Sequence, residues 1–169
     1  MPKPSPETYV SYFKRYVDLV PEEDLMTAFK NQTAGIEKFL SSISEEKSNH
    51  AYAEGKWTIK EMLQHIIDTE HVFNYRALCF ARGEKAGLPG FEENDYAANS
   101  YAGNRRWADL IQEFLAVRKT TEIMYGSFNA AVMDNAGKAS NNPVTVSSLG
   151  FTTVGHYYHH KKILLERYL

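Results

Sequence analysis

Apolar residues recur along the chain at intervals of three, four and seven, the spacing that gathers side chains on one face of an α-helix. Tyr9, Phe13 and Tyr16 mark a first helical stretch over residues 6–18. Pro21, followed by Glu22, Glu23 and Asp24, reads as the start of the next. Proline suits a first helical turn, and acids suit the positive end of the helix dipole. Leu25, Phe29, Ile36, Leu40 and Ile43 carry that helix to about Ser44, where SEEKSNH interrupts it. The strongest local signal is WTIKE, in which Thr58 as N-cap and Glu61 three residues later form a capping box that satisfies two orphaned backbone N–H groups. Behind it Ile59, Met62, Ile66, Phe73, Ala77 and Phe80 form the stripe of a long helix that stops at Gly83.

A third helix runs through Trp107, Leu110, Phe114, Val117, Thr121 and Met124, and a last one begins near Ser147 and continues to the end of the chain. Four long helices predict an all-α protein, a four-helix bundle. The segment between the second and third, residues 83–103, is too long for the roughly two to eight residues that join antiparallel neighbours, so it is expected to cross over the bundle. The other long connection, residues 126–146, holds the turn formers Asn135-Ala136-Gly137 and Asn142-Pro143, with PVTV briefly extended. No repeat, low-complexity tract or linker divides the chain, and residues 1–169 are expected to form one domain.

Composition narrows the functional classes. With 43% apolar and 24% charged residues the chain belongs with ordinary globular proteins, and 11 Tyr and 9 Phe supply bulky core material. A formal charge of −2 provides no basic stripe to neutralise phosphates, which argues against nucleic acid or an anionic membrane as partner. Cys79 is the only cysteine, MPKPSPETYV lacks the basic start and apolar run of a signal peptide, and no apolar stretch approaches the ~18 residues of a membrane span. A cytoplasmic protein is expected.

The candidate chemistry lies in the histidines, at positions 50, 65, 71, 156, 159 and 160. His156 and His160 are four apart, which on a helix sets them about 40° apart on one face, one turn along the axis. That face also carries Leu149, Ile163 and Leu164, so both rings should point into the bundle. His65 sits at the flank of the second helix's stripe and could complete a three-histidine site. The same residues equally suit histidines held by ordinary hydrogen bonds in the core or at its rim. His159 is turned about 60° from His156, and His50 and His71 read as exposed. Glu61 and Asp68 lie within one turn of His65, near enough to orient a ligand, although Glu61 already caps its helix and Asp68 reads as a solvated carboxylate. Cys79 reads as a small buried hydrophobe, and Trp57 and the tyrosines as core.

Two stretches resemble motifs of a known family: WTIKEMLQHIIDTE matches W-T-x-x-E-x-L-x-H-x-x-D-x-E, and GHYYHH matches G-H-x-x-H-H. With RALCFARGEKAGLPGF and the terminal LLERYL, the chain resembles the DinB-like (DinB/YfiT) superfamily over nearly its whole length. The resemblance implies an up-down-down-up four-helix bundle with long crossover loops and a divalent metal ion on His65, His156 and His160. Imidazole ligands suit several metals, with Zn and Ni as first choices. Relatives include S-transferases using bacillithiol, mycothiol-dependent isomerases and proteins described as metal-dependent hydrolases, so thiol S-transfer or hydrolysis of a small molecule is the expected activity. A low-molecular-weight thiol is an expected substrate and a homodimer an expected assembly. The competing expectation is a non-catalytic protein that binds a metal or a small molecule in a stress response. Substrate choice is expected to lie in the two long connections, with Tyr96, Tyr101, Asn104 and Arg105 at the pocket mouth.

Overall fold

The computed structural model describes residues 1–169. Its helices are α1 (Ser11–Val17), α2 (Leu25–Ser41), α3 (Glu45–Ser48), α4 (Ile59–Ala81), α5 (Glu93–Asn99), α6 (Trp107–Gly126) and α7 (Val146–Ile163), and the strands β1 (Ala136–Ala139) and β2 (Asn142–Thr145) pair antiparallel. Each long helix starts where its first backbone N–H groups find an acceptor. Asp24 accepts from the Thr27 N–H at the head of α2. Thr58 with Glu61, and Thr145 with Ser148, close reciprocal boxes on α4 and α7. At the head of α6, the Trp107 N–H donates to the Glu45 carboxylate of α3.

Pairings between side chains fix the helix directions. Along α4 and α6, Glu70 meets Arg118 and Asn74 meets Thr121, so residue numbers rise together and the two helices are parallel. Between α2 and α6 the order reverses: Thr33 meets Glu122, and the Leu40 carbonyl accepts from the Trp107 indole. It also reverses between α4 and α7, where the Trp57 carbonyl accepts from Tyr168 and His65 faces His156. Helices α2 and α7 are parallel, with Gln32 donating to the Val154 carbonyl and Lys161 lying over Phe39. The result is a four-helix bundle of up-down-down-up order, as the resemblance implied. Parallel α4 and α6 force the intervening chain to return the length of the bundle, which explains the long crossover.

Two apolar clusters fill the interior, one around Leu25, Phe29, Tyr125 and Phe151, the other around Ile36, Leu63, Ile67 and Phe114. Between them lies a buried ion pair. Arg118, 0% exposed, forks onto Glu70 at 2.9 and 2.8 Å, donates to Gln32, and stands 5.4 Å from the Phe29 ring of one cluster and 5.4 Å from the Phe114 ring of the other. Thr121 donates to the same carboxylate at 2.6 Å.

Several boundaries differ from expectation. The opening stretch is a 3₁₀ turn at Pro6–Thr8 followed by α1 from Ser11, not one helix over 6–18. Asp24, rather than Pro21, sets the start of α2, because its carboxylate takes up the free N–H of Thr27. That helix ends at Ser41, and Ser44 caps the separate short α3. The crossover contains α5, and Asn135-Gly137 does not turn: Ala136–Ala139 is a strand. The hairpin turns instead at Ser140 and Asn141, both at positive φ (51° and 63°), while Asn142-Pro143 belongs to the extended PVTV segment as β2. Cys79 is half-buried rather than sealed in the core. No helix is long and apolar enough to cross a membrane.

Candidate metal centre

Antiparallel packing of α4 on α7 sets His65 opposite His156 and His160, all three buried. A close approach of α1 seals the far side. At Gly155 a Cβ would stand 2.0 Å from the Tyr16 carbonyl oxygen, so glycine alone lets the α1 backbone touch α7 there. Tyr16 then meets His156 edge-on, with ring centroids 5.4 Å apart.

The Nε2 atoms of the three histidines converge. His156 Nε2 lies 3.1 Å from His65 Nε2 and 3.0 Å from His160 Nε2. One imidazole nitrogen carries either a proton or a lone pair, so His156 Nε2 cannot make a full hydrogen bond to both neighbours unless it shares a single proton. A cation in the middle satisfies three lone pairs at once, and metal–nitrogen bonds of about 2.0–2.1 Å are compatible with nitrogens at this spacing. Ligand atoms of all three lie within 4.8 Å of one another. On the far side of its ring, His160 Nδ1 is buried without a partner.

Electrostatics keep these rings neutral, the state in which imidazole binds metal. Burial, assisted by the charge of His159, pushes the His65 pKa down to about 4. Burial and then the neighbouring histidines hold His156 and His160 well below the ordinary value. No carboxylate joins the cluster.

The trio opens onto a cavity of about 370 Å³, walled by Phe13 and Tyr16 of α1, Thr69, Phe73 and Arg76 of α4, and Trp57 before it. Trp57 stands 4.8 Å from the His65 ring. The Thr69 hydroxyl is buried with no partner. His159 also borders the cavity, half-buried, its ring 5.1 Å from that of His160. Its pKa is lowered by burial first and then by Arg15 and Lys162.

The structure therefore brings His65, His156 and His160 together and leaves His50 and His71 exposed. Asp68 accepts from Gln64, and burial raises its pKa, but it borders a separate surface cleft with His71 and Tyr96. Glu61 is occupied by its cap. None of the four residues expected at the pocket mouth borders the histidine cavity. Tyr101 is 70% exposed, Asn104 is exposed, and Arg105 is held by Gln64 and Glu113. The mouth is built instead from Tyr12 and Arg15 of α1, Phe91 and Glu93 of the crossover, and Ser140 and Asn142 of the hairpin. Trp57 and Tyr16, read from sequence as core, are cavity walls. The signal for Trp57 was present in the sequence, eight residues before the motif histidine His65, whereas nothing local marked Tyr16.

Residues 28–164 match the model of a family described as the DinB superfamily. Among solved structures the fold is similar to that of YfiT from Bacillus subtilis, described as a probable metal-dependent hydrolase with an unusual four-helix bundle topology. The TM-score is 0.76 at 12% identity, over 97% of this chain and 91% of that one. No curated protein matches the chain.

Proposed function

The chain belongs to the DinB superfamily, and from that premise we propose that it is a metal-dependent enzyme that transfers a thiol to, or hydrolyses, a small molecule, with His65, His156 and His160 as the ligands of one divalent ion, Zn or Ni. The observation that carries this is the convergence of three neutral Nε2 atoms on one point beside a cavity lined in part by aromatic side chains. Three protein ligands leave a divalent ion open to a further group, as catalytic sites require. When bound, the ion supplies Lewis acidity, which lowers the proton affinity of a water or thiol that reaches it.

The chain's own residues favour a thiol as nucleophile. Apart from the trio and His159, the only other proton acceptor of ordinary strength at the cavity is Glu93, exposed on α5. A thiol, with a pKa near 8.5, needs a weaker base than water does. In thiol transfer the S–H proton passes to the His159 imidazole, sulfur bonds to the electrophilic carbon, and the leaving group departs with the electrons of the broken bond. Walls of Phe13, Phe73 and Trp57 offer the apolar part of a substrate a surface to pack on.

Elemental analysis of protein made without a histidine tag tests this, for the wild type and for His65→Ala and His156→Ala. Near-stoichiometric metal in the wild type, lost in both variants, is expected, together with turnover of an alkyl halide or epoxide by a low-molecular-weight thiol that His159→Gln slows. Wild-type protein that takes up no metal on reloading overturns the reading. Metal without turnover of thiol or ester substrates would make the chain a binding protein.

A further inference from the structure

The cavity borders a buried cation with no counter-charge. Arg76 of α4 is 4% exposed, yet no carboxylate lies near it: Nη2 donates to the Pro89 carbonyl at 2.8 Å and to Ser140 Oγ at 3.1 Å, both neutral. Its Nε and Nη1 make no hydrogen bond, and neither is sealed from solvent. The contrast with Arg118 is informative. That guanidinium, fully buried, is neutralised by both oxygens of Glu70. An unpaired buried charge is costly, and the cost shows as a lowered Arg76 pKa whose cause is burial alone.

Arg76 is also built into place. The crossover pairs with the hairpin there, Leu88 N–H donating to the Lys138 carbonyl and Ser140 N–H to the Leu88 carbonyl, which presents Pro89 and Ser140 to one guanidinium nitrogen. His65, Thr69, Phe73 and Arg76 follow at four, four and three residues, so all occupy one face of α4 and all border the same cavity. The eleven residues from His65 to Arg76 span ~16 Å of helix axis. Arg15 at the mouth adds a further positive charge against the single acid, Glu93.

We propose that Arg76 is an anion-binding subsite of this cavity, and that the substrate is an elongated molecule with a carboxylate at the Arg76 end and its reacting group at the histidine end. The proposal rests on the cavity being the substrate site. A carboxylate fits better than a phosphate dianion, because Arg76 offers a single charge and, with Nη2 held by Pro89 and Ser140, only the separate donors Nε and Nη1.

The test needs no metal and no turnover. Metal-free protein is titrated with phenylbutyrate and with its uncharged isostere phenylbutyramide, followed by calorimetry and by fluorescence of Trp57 at the cavity wall. The wild type should prefer the acid by about tenfold, the weight of a charge-assisted hydrogen bond. Arg76→Met should reduce that preference to within about twofold, Arg76→Lys should keep part of it, and Arg106→Met, at an exposed ion pair away from the cavity, should keep it all. Equal affinity for acid and amide in the wild type, or no binding of either up to about 10 mM, overturns the proposal without any variant having to fold. An Arg76→Met protein that retains the preference overturns it too. If elemental analysis finds no metal but the preference depends on Arg76, the enzymatic reading falls and the anion subsite stands.

Discussion

Replacing Gly155 by alanine adds one methyl group where the α1 backbone lies directly against α7. The new Cβ would lie 2.0 Å from the Tyr16 carbonyl oxygen and 2.4 Å from its carbon, against an ordinary contact that begins at 3.4 Å, so α1 must retreat by about 1.4 Å. The obstacle is backbone, which cannot swing aside as a flexible side chain can. Overpacking of this kind costs about 1–3 kcal/mol, and the upper half of that range applies because a whole helix has to move. A chain of this size loses about 2–4 °C of melting temperature per kcal/mol, so a drop of roughly 4–12 °C is expected in a far-UV circular dichroism melt. Gly35 is the internal control. It lies exposed in α2 with nothing within 4 Å of an added Cβ, and Gly35→Ala should stabilise by about 0.4–1 kcal/mol through the stiffer unfolded chain and better helix propensity. The same chemical change should therefore move the melt in opposite directions at two helical glycines. A Gly155→Ala protein that melts at or above the wild-type temperature would refute the account of how α1 is seated on α7.

Arg118→Met strands the Glu70 carboxylate in the core and should cost about 3–5 kcal/mol in urea unfolding, whereas a Glu70→Leu, Arg118→Met double variant leaves no bare charge and should recover much of it. Equal losses in the two proteins would contradict this. Metal-free protein should lose stability as pH falls below about 6.5. The folded His65 pKa of about 4 lies under the unfolded value, so between these two pH values the unfolded chain binds more protons, and His65 alone accounts for roughly 3 kcal/mol by the lower limit. Urea midpoints measured from pH 7 to pH 4 check it, and a flat profile would count against burial of the trio as neutral rings.

Much of the bundle was legible because helix periodicity is a local property. Thr58 and Glu61 fixed the head of α4 from five residues of sequence, and the length of the 83–103 connection pointed to a crossover before any helix direction was known. The four-residue spacing put His156 and His160 on one face of α7, while His65 joined them as a third ligand only through the family resemblance. What escaped notice depended on pairing over distance. The 136–145 hairpin was missed on one side because its turn sits at Ser140 and Asn141, which lack the glycine that usually marks positive φ. Glu70 and Arg118 each stand within an apolar stripe, between Ile67 and Phe73 and between Phe114 and Thr121, and a charge in that position was a sign of a partner that the sequence could not name. Arg76 carries the same sign, with no protein partner to find. The cavity walls from α1 were invisible because nothing local says that Tyr16 will lie against a glycine 139 residues later.

The order of the helices also bears on how quickly the molecule can become itself. His65 and His156 are 91 residues apart in the chain, and the Tyr16 contact closes a still longer loop. Bundles whose neighbours follow one another in sequence make mostly local contacts and fold in microseconds to milliseconds, while long closures slow the search. Here the parallel pairs, α2–α7 across most of the chain and α4–α6 across the crossover, cannot form as simple hairpins, so the bundle trades speed of assembly for a cavity whose walls come from both ends of the chain. Until α7 has docked between α1 and α4 the three Nε2 atoms stand apart and there is no pocket at all.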